Sequence, residues 1–237
     1  FKEIVLTGVD ITAWGKDIEE RKNLGELVEL ILVENPTLKR LRLSSLDISE
    51  IDEKLIRLFK TECRLMPHLH LSLQSGNNLI LKRMKRRHSR EDTIEICTKL
   101  KAARPELTFG ADLIVGFPTE NEEMFNDTLS LINECDLTWL HIFPYSIRQG
   151  TPASRMPQVE RQTILHRAES LRKSAAARKK NHFSQLINKR IAVLMETQFK
   201  GRSEDFAEIK VNDALVPGEI YHLTIDSFDS ENLIASN

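Results

Sequence analysis

The chain reads as α/β: a parallel sheet built from repeated strand, turn and helix units, followed by a small antiparallel β-module. Three observations carry this reading. Residues 107 to 127, LTFGADLIVGFPTENEEMFND, contain one complete unit. A buried aliphatic run, Leu113 to Val115, is stopped by Gly116-Phe117-Pro118, and Thr119 with Glu122 makes a T-x-x-E helix start. The same strand-then-helix pattern recurs up to about residue 150, the signature of βαβ units and a parallel sheet. Past Pro157 the pattern gives way to a long polar, Ala-rich stretch and then to short alternating segments.

The first unit starts with Glu3 to Asp10, a strand ending in a Gly turn, and Leu24, Leu27, Val28, Ile31 and Leu32 follow at helical spacing until Pro36. Residues 41 to 45 form a second strand, with its helix marked by Ile51, Leu55, Ile56, Leu58 and Phe59. His68 to Gln74 is the third, followed by an Asn-rich turn and a helix capped by Ser89 and Asp92 that carries Ile94, Cys97 and Leu100. Residues 107 to 115 supply the fourth strand and Leu137 to Tyr145 the fifth. Five strands fall short of the eight of a closed barrel, so periodicity leaves an open sheet or an incomplete barrel. Residues 158 to 188 predict one long helix. Arg190 to Thr197, Phe206 to Val211 and Glu219 to Asp226 predict strands of a β-module, with Asn188 at the boundary between residues 1–188 and 189–237.

Composition narrows the function classes. At 237 residues, 41% hydrophobic and 29% charged, the chain is ordinary for a soluble globular protein, and no apolar run is long enough for a bilayer. The first residue, Phe1, enters a strand-like run directly, which suggests part of a longer chain. Net charge is only -1, but residues 82 to 90 hold six Lys or Arg and no acid. A second basic run holds Arg172, Lys173, Arg178, Lys179, Lys180, Lys189 and Arg190. Each run alone reads as a solvated helix face; together they favour a polyanion. Cys63, Cys97 and Cys135 have no C-x-x-C spacing and imply a reducing cytoplasm.

In parallel sheets flanked by helices, ligands meet the carboxyl ends of the strands. There the sequence places Thr7-Gly8-Val9-Asp10, Ser44-Ser45, Gln74-Ser75, Gly116-Phe117-Pro118 and Tyr145-Ser146. These small, hydroxyl, amide and carboxylate groups suit a polar, zwitterionic or ribose-bearing ligand. Strict alternation in His68 to Gln74 puts His68, His70, Ser72 and Gln74 on one face and three leucines on the other. If the leucines meet the helices, the polar face lines the interior. His68 and His70 are then either hydrogen-bonded core residues or a metal pair of the kind used by zinc-dependent barrel hydrolases. No Ser/His/Asp triad or Walker-type loop is recognisable.

EIVLTGVDITAWG, LRLSSLDISEID, HLHLSLQSGNNLILKRMKRRHS, GADLIVGFPTENEEMF and HIFPYSIRQGTPASRM, in this order, resemble the radical SAM methylthiotransferases, closest to the branch acting on N6-threonylcarbamoyladenosine in tRNA. The resemblance implies a partial TIM-type (β/α)6 barrel, strands 2 to 6, and a TRAM-like RNA-binding module at residues 189–237. It implies an enzyme that uses S-adenosylmethionine (SAM) and [4Fe-4S] clusters to install a methylthio group on adenosine 37 of the tRNA anticodon loop, with a reductant and a sulfur donor as further partners. The C-x-x-x-C-x-x-C loop and the amino-terminal cluster domain of that family have no counterpart here. The expectation is therefore a fragment that lacks cluster ligands, binds no metal and is inactive alone, from a cytoplasmic, non-membrane protein.

By position, Gly8-Val9-Asp10 stands where the family has Gly-Gly-Glu, so Asp10 would receive the SAM ammonium. Ser44, Ser45, Gln74 and Ser75 would face the ribose and methionine parts, Arg86 the carboxylate, and the backbone of Val115, Gly116 and Phe117 the adenine. Lys85, Arg87 and the run from Arg172 to Arg190 would meet RNA phosphates. The remaining alternatives are a noncatalytic RNA-binding protein on the same scaffold, the zinc-dependent hydrolase, and a ribosomal-protein methylthiotransferase.

Overall fold

The computed structural model describes residues 1–8, 10–15 and 22–236, without the side chain of Thr12. Five parallel strands stand in chain order: β1 (Glu3–Leu6), β2 (Arg40–Leu43), β3 (His68–Gln74), β4 (Thr108–Val115) and β5 (Leu137–Pro144). β1 pairs with β2, and β3 with β4 and β5. Isolated bridges from Leu41 to Leu65 and from Leu46 to Leu71 join the two sets. Helices α1 (Leu24–Glu34), α2 (Glu53–Thr61), α3 (Asn78–Arg83), α4 (Arg90–Ala103) and α5 (Glu122–Glu134) fill the connections.

Period-two alternation decides which side faces the helices. Leu41 and Leu43, Leu69, Leu71 and Leu73, and Leu113 and Val115 are all buried with Val28, Leu55, Phe59, Leu100 and Leu131 of the helical shell in one core. The partners left between them in sequence, Arg40, Arg42, His68, His70 and Asp112, therefore point inward, as the alternation in β3 predicts. Most helix starts follow from local chemistry: Asn23 and Ser89 form capping boxes, and Asp52 caps α2. α5 differs from the expectation. Its cap is Asn121 rather than Thr119, because Thr119 adopts a left-handed φ of 71° and gives its hydroxyl to the Pro118 carbonyl.

The long helix α6 (Arg161–Leu186) crosses from one core to another. Ala168 and Leu171 pack in the barrel core, whereas Phe183, about 18 Å further along at 1.5 Å per residue, packs in the core of the β-module. That module holds five strands where sequence reading gives three. β6 (Arg190–Met195), β7 (Lys200–Ser203), β8 (Glu208–Val211), β9 (Ile220–Phe228) and β10 (Leu233–Ser236) close in the order β10-β8-β7-β6-β9. β10 pairs antiparallel with β9 but parallel with β8, so closure departs from a purely antiparallel sheet. β7 and β10 span only four residues each, too short for a periodic signal.

The module is fastened to the amino end of the barrel by the turn between β7 and β8. Arg40 donates to the Arg202 carbonyl (3.2 Å), and Arg42 to the carbonyls of Glu204 and Ser203 (both 3.1 Å). Thr108 and the Trp139 indole both donate to the Asp205 carbonyl, at 2.9 and 3.0 Å. Phe206 stacks on His68 at 4.4 Å between ring centroids, and the Arg42 and Arg202 guanidiniums lie 5.1 and 4.4 Å from its ring. An aromatic side chain thus closes the floor of the barrel.

Candidate functional site at the carboxyl rim

The opposite, carboxyl end is not covered by the β-module. Ser44, just beyond β2, turns inward and its hydroxyl is buried without a hydrogen-bond partner; the Tyr145 hydroxyl, just beyond β5, and Nε of Arg86 share that condition. Buried polar atoms are normally satisfied, so orphans among the residues at the carboxyl end of the sheet are candidates for polar ligand atoms. Arg86 is held there by Asp47, at 3.1 Å, and by the Ser72 carbonyl, at 2.6 Å. Burial works to raise the Asp47 carboxyl, but bonds from the Ser49 hydroxyl and amide and the charges of Arg86 and Arg87 hold it below the usual range.

The turn after β4 forms the next part of the rim. Gly116 has φ of 72° and its amide donates to Glu120 Oε1 at 2.9 Å. A Cβ there would stand 2.3 Å from Ile164 of α6, so no other residue fits both the conformation and the space. Arg167 of α6 donates to the same carboxylate oxygen at 2.8 Å, and both side chains of this pair are nearly inaccessible. Burial pushes the Glu120 carboxyl up, against the pull of the Gly116 amide and Arg167. Phe117 meets Tyr145 edge-on at 5.4 Å.

Among the residues singled out from sequence, Ser44, Gln74, Arg86, Val115, Gly116 and Phe117 lie along this rim. Gln74 has φ of 68°. Gly8 and Asp10 line a separate cleft of 480 Å³ with Ile11, Trp14 and Leu24. Val9 lies outside the described residues. Ser45 is exposed, and the Ser75 hydroxyl faces the helices, where it bonds Thr128 and accepts from the Asn77 amide. The sequence alone missed the buried Glu120 and Arg167, which lie 47 positions apart. It also missed Arg40 and Arg42, although charged residues alternating with leucines in a strand were a visible signal.

The basic runs divide. Arg178 pairs with Asp136, Lys179 with Glu231 and Lys173 with Glu169, while Arg87 is bonded to Glu50 at 2.7 Å. Lys85, Arg172, Lys180 and Lys189 are exposed and make no ion pair among the described residues, and Arg190 donates to the His222 carbonyl. Deeper in the barrel, His68 and His70 do not converge as a metal pair. His68 is committed to Phe206, with burial holding its imidazole well below the ordinary value, and His70 turns instead to Asp112. The three thiols do not gather either: Cys97 and Cys135 are neighbours buried in the helical layer, and Cys63 is exposed. They do not fit a [4Fe-4S] cluster, which takes several converging thiolates. The orphaned rim groups do fit a polar cofactor such as SAM.

A parallel half-barrel with its floor covered by the β-module and unpaired polar groups at its carboxyl rim is an α/β fold of the TIM-barrel kind. The family model of the Radical SAM superfamily matches residues 1–132, more than half of the chain, and the chain belongs to that superfamily. More particularly, it is 47% identical over 221 residues to the threonylcarbamoyladenosine tRNA methylthiotransferase MtaB of Rickettsia prowazekii (strain Madrid E), covering 93% of this chain and 52% of that protein. It is 37% identical over 206 residues to the protein of the same name from Bacillus subtilis (strain 168), 86% of this chain and 46% of the relative. The chain spans about half the length of these curated relatives. Among solved structures, coproporphyrinogen III oxidase (HemN) from Escherichia coli superposes with a TM-score of 0.54 at 16% identity, over 76% of this chain and 40% of that one, a likeness of fold.

Proposed function

We propose that this chain supplies the SAM-binding barrel and the RNA-facing module of a tRNA methylthiotransferase that converts N6-threonylcarbamoyladenosine at position 37 to its 2-methylthio derivative. The observation that carries the reading is the rim, where Ser44, Tyr145 and Arg86 have buried polar atoms with no hydrogen-bond partner among the described residues. The named relatives support the substrate.

Bound SAM supplies the methyl group and the radical chemistry of the superfamily. This chain's own residues bind and orient it. The Ser44 hydroxyl and Gln74 would meet its ribose and methionine, and Arg86 would offer Nε to the carboxylate while Asp47 fixes its position; Asp10, expected to receive the ammonium, lines the neighbouring cleft with Gly8 and would do so only if SAM extends into it. The Gly116 turn would let backbone approach the adenine, and the Arg167–Glu120 pair keeps that turn in place. Cluster ligands, a reductant and a sulfur donor come from outside these residues. Arg172, Lys180 and Lys189, exposed and without an acidic partner among the described residues, are the cations best placed for phosphates. The reading places the protein in the cytoplasm with its tRNA; among the described residues no helix is long and apolar enough to cross a membrane.

The test is nucleoside mass spectrometry on tRNA from cells with and without the gene. Loss of the 2-methylthio form with accumulation of N6-threonylcarbamoyladenosine is the expected result. An unchanged nucleoside profile removes the substrate.

A further inference from the structure

We propose that His70, Asp112 and His141 bind one divalent first-row transition ion of the Zn²⁺ or Fe²⁺ type inside the barrel, below the rim site. The sequence offered His68 with His70 as a metal pair, but the structure groups His70 with Asp112 and His141, which lie far apart in the chain. Parallel pairing brings them together. Asp112 and His141 are register partners on β4 and β5, and His70 stands opposite Gly110, one inward position below Asp112. His70 Nε2 and His141 Nδ1 each lie 3.1 Å from Asp112 Oδ1, and the three donor atoms fall within 4.8 Å of one another.

A tetrahedral ion with bonds of about 2.0 to 2.1 Å has donor-to-donor edges of about 3.3 Å. Two of the three edges are therefore already near that length, and rotation of one imidazole brings in the third. The donors sit on three neighbouring strands, so the backbone that aims them is rigid. Gly110 makes room for this arrangement, since a Cβ there would stand 2.7 Å from His70 Nδ1.

Two imidazoles and one carboxylate suit a borderline ion rather than Mg²⁺ or Ca²⁺, which prefer oxygen ligands. Without metal, both imidazoles donate a proton to one carboxylate oxygen; with metal, a single cation replaces both protons. Three protein ligands leave a coordination position open. His141 lines a 760 Å³ cavity together with Trp139, Arg172, Lys179, Arg202 and Phe206. Those cations favour water or a small anion as the fourth ligand.

The purified chain, stripped with chelator, is titrated with ZnCl₂ by calorimetry and with CoCl₂ by visible absorption. One ion per chain is expected, with ligand-field bands and no thiolate charge-transfer band for Co²⁺. Asp112→Asn and His141→Ala should each weaken Zn²⁺ binding by at least about tenfold, the lower bound even for losing a residue that only supports a metal ligand. Cys63→Ser should leave binding unchanged. The His141 side chain is 64% exposed, so its removal is compatible with folding, and circular dichroism checks both variants. The site is overturned if the unaltered chain takes up no stoichiometric ion, if uptake survives both substitutions, or if Co²⁺ shows thiolate charge transfer. None of these outcomes depends on which nucleoside is modified.

Discussion

The floor and the rim of the barrel are made from the same inward-facing strand positions, yet they are finished differently: most floor groups are covered by the β-module, with Arg40 Nη2 and both His68 ring nitrogens left unpaired among the described residues, whereas the rim groups have no such cover. At the floor, Arg42, Thr108 and Trp139 all donate to carbonyls of the turn between β7 and β8, and Phe206 covers His68. At the rim, Ser44, Tyr145 and Arg86 keep buried polar atoms unused. Satisfied polar groups stabilise the fold, whereas unsatisfied ones cost stability until something binds. The contrast separates what holds this protein together from what it presents to a ligand. Substitutions at the floor should appear in stability, and substitutions at the rim in affinity.

The largest expected effect falls on the pair that fixes the rim turn to α6. Arg167→Ala leaves Glu120 buried without its cation, and breaking a buried pair by removing one partner costs about 3 to 5 kcal/mol. Part of that cost is relieved as Glu120 takes up a proton, since burial already pushes its carboxyl upward. A urea titration reads the change as a lower midpoint. If the midpoint barely moves, α6 is held by its apolar contacts alone.

Next comes the floor. Phe206→Ala removes a half-buried ring and its contacts with His68 and two guanidiniums, for a loss of about 2 to 3 kcal/mol, below the range for a fully buried Phe. Relief of the left-handed backbone at Phe206, whose φ is 78°, does not accompany this change, because Ala shares the penalty. Phe206→Gly should therefore be slightly less damaging than Phe206→Ala. The order of the two melting temperatures checks the point.

A smaller effect depends on pH. Burial works to raise the Asp205 carboxyl, but the bond and charge of His182 and the Ser203 hydroxyl outweigh it, leaving Asp205 below the ordinary carboxylate value. A depressed folded value means the stabilisation is fully present above the unfolded value of about 3.9, and is lost as pH falls through the folded one. Asp205→Asn should lower stability at neutral pH and flatten the acid limb of a plot of melting temperature against pH. An unchanged acid limb would locate the floor's strength in Phe206 and the backbone carbonyls.

How much of this was legible beforehand differs between the two ends. The strand-turn-helix periodicity gave all five barrel strands, and the alternation in β3 correctly sent Leu69, Leu71 and Leu73 to the helices and the histidines inward. Ser44 and Gly116 were marked because strand ends in such folds face ligands, and Arg86 by the family resemblance. The floor was invisible because its contacts join Arg40 and Arg42 to residues about 160 positions away. No local pattern encodes that docking. Ser75 shows the same limit on a smaller scale: a hydroxyl at a strand end reads as a ligand contact until the structure shows Thr128 taking it. The basic run of α6 likewise looked uniform, but acids from elsewhere in the chain claim Arg178 and Lys179.

The smallest expected change, in Ser44→Ala, is also the sharpest on the comparison. Its hydroxyl is buried and has no partner, so removing it deletes no hydrogen bond in the unliganded protein and relieves an uncompensated desolvation. Folding stability should stay the same or rise slightly, in contrast to the losses expected at Phe206 and Asp205. SAM affinity should fall by roughly tenfold at most, the scale of about 1 kcal/mol for one neutral hydrogen bond. Calorimetric titration of SAM into the chain and its variant, set beside their urea midpoints, resolves both quantities. A variant that binds SAM normally would mean the hydroxyl is turned away from the cofactor, whereas a variant that is less stable would mean Ser44 belongs to the packing of the barrel and not to its rim.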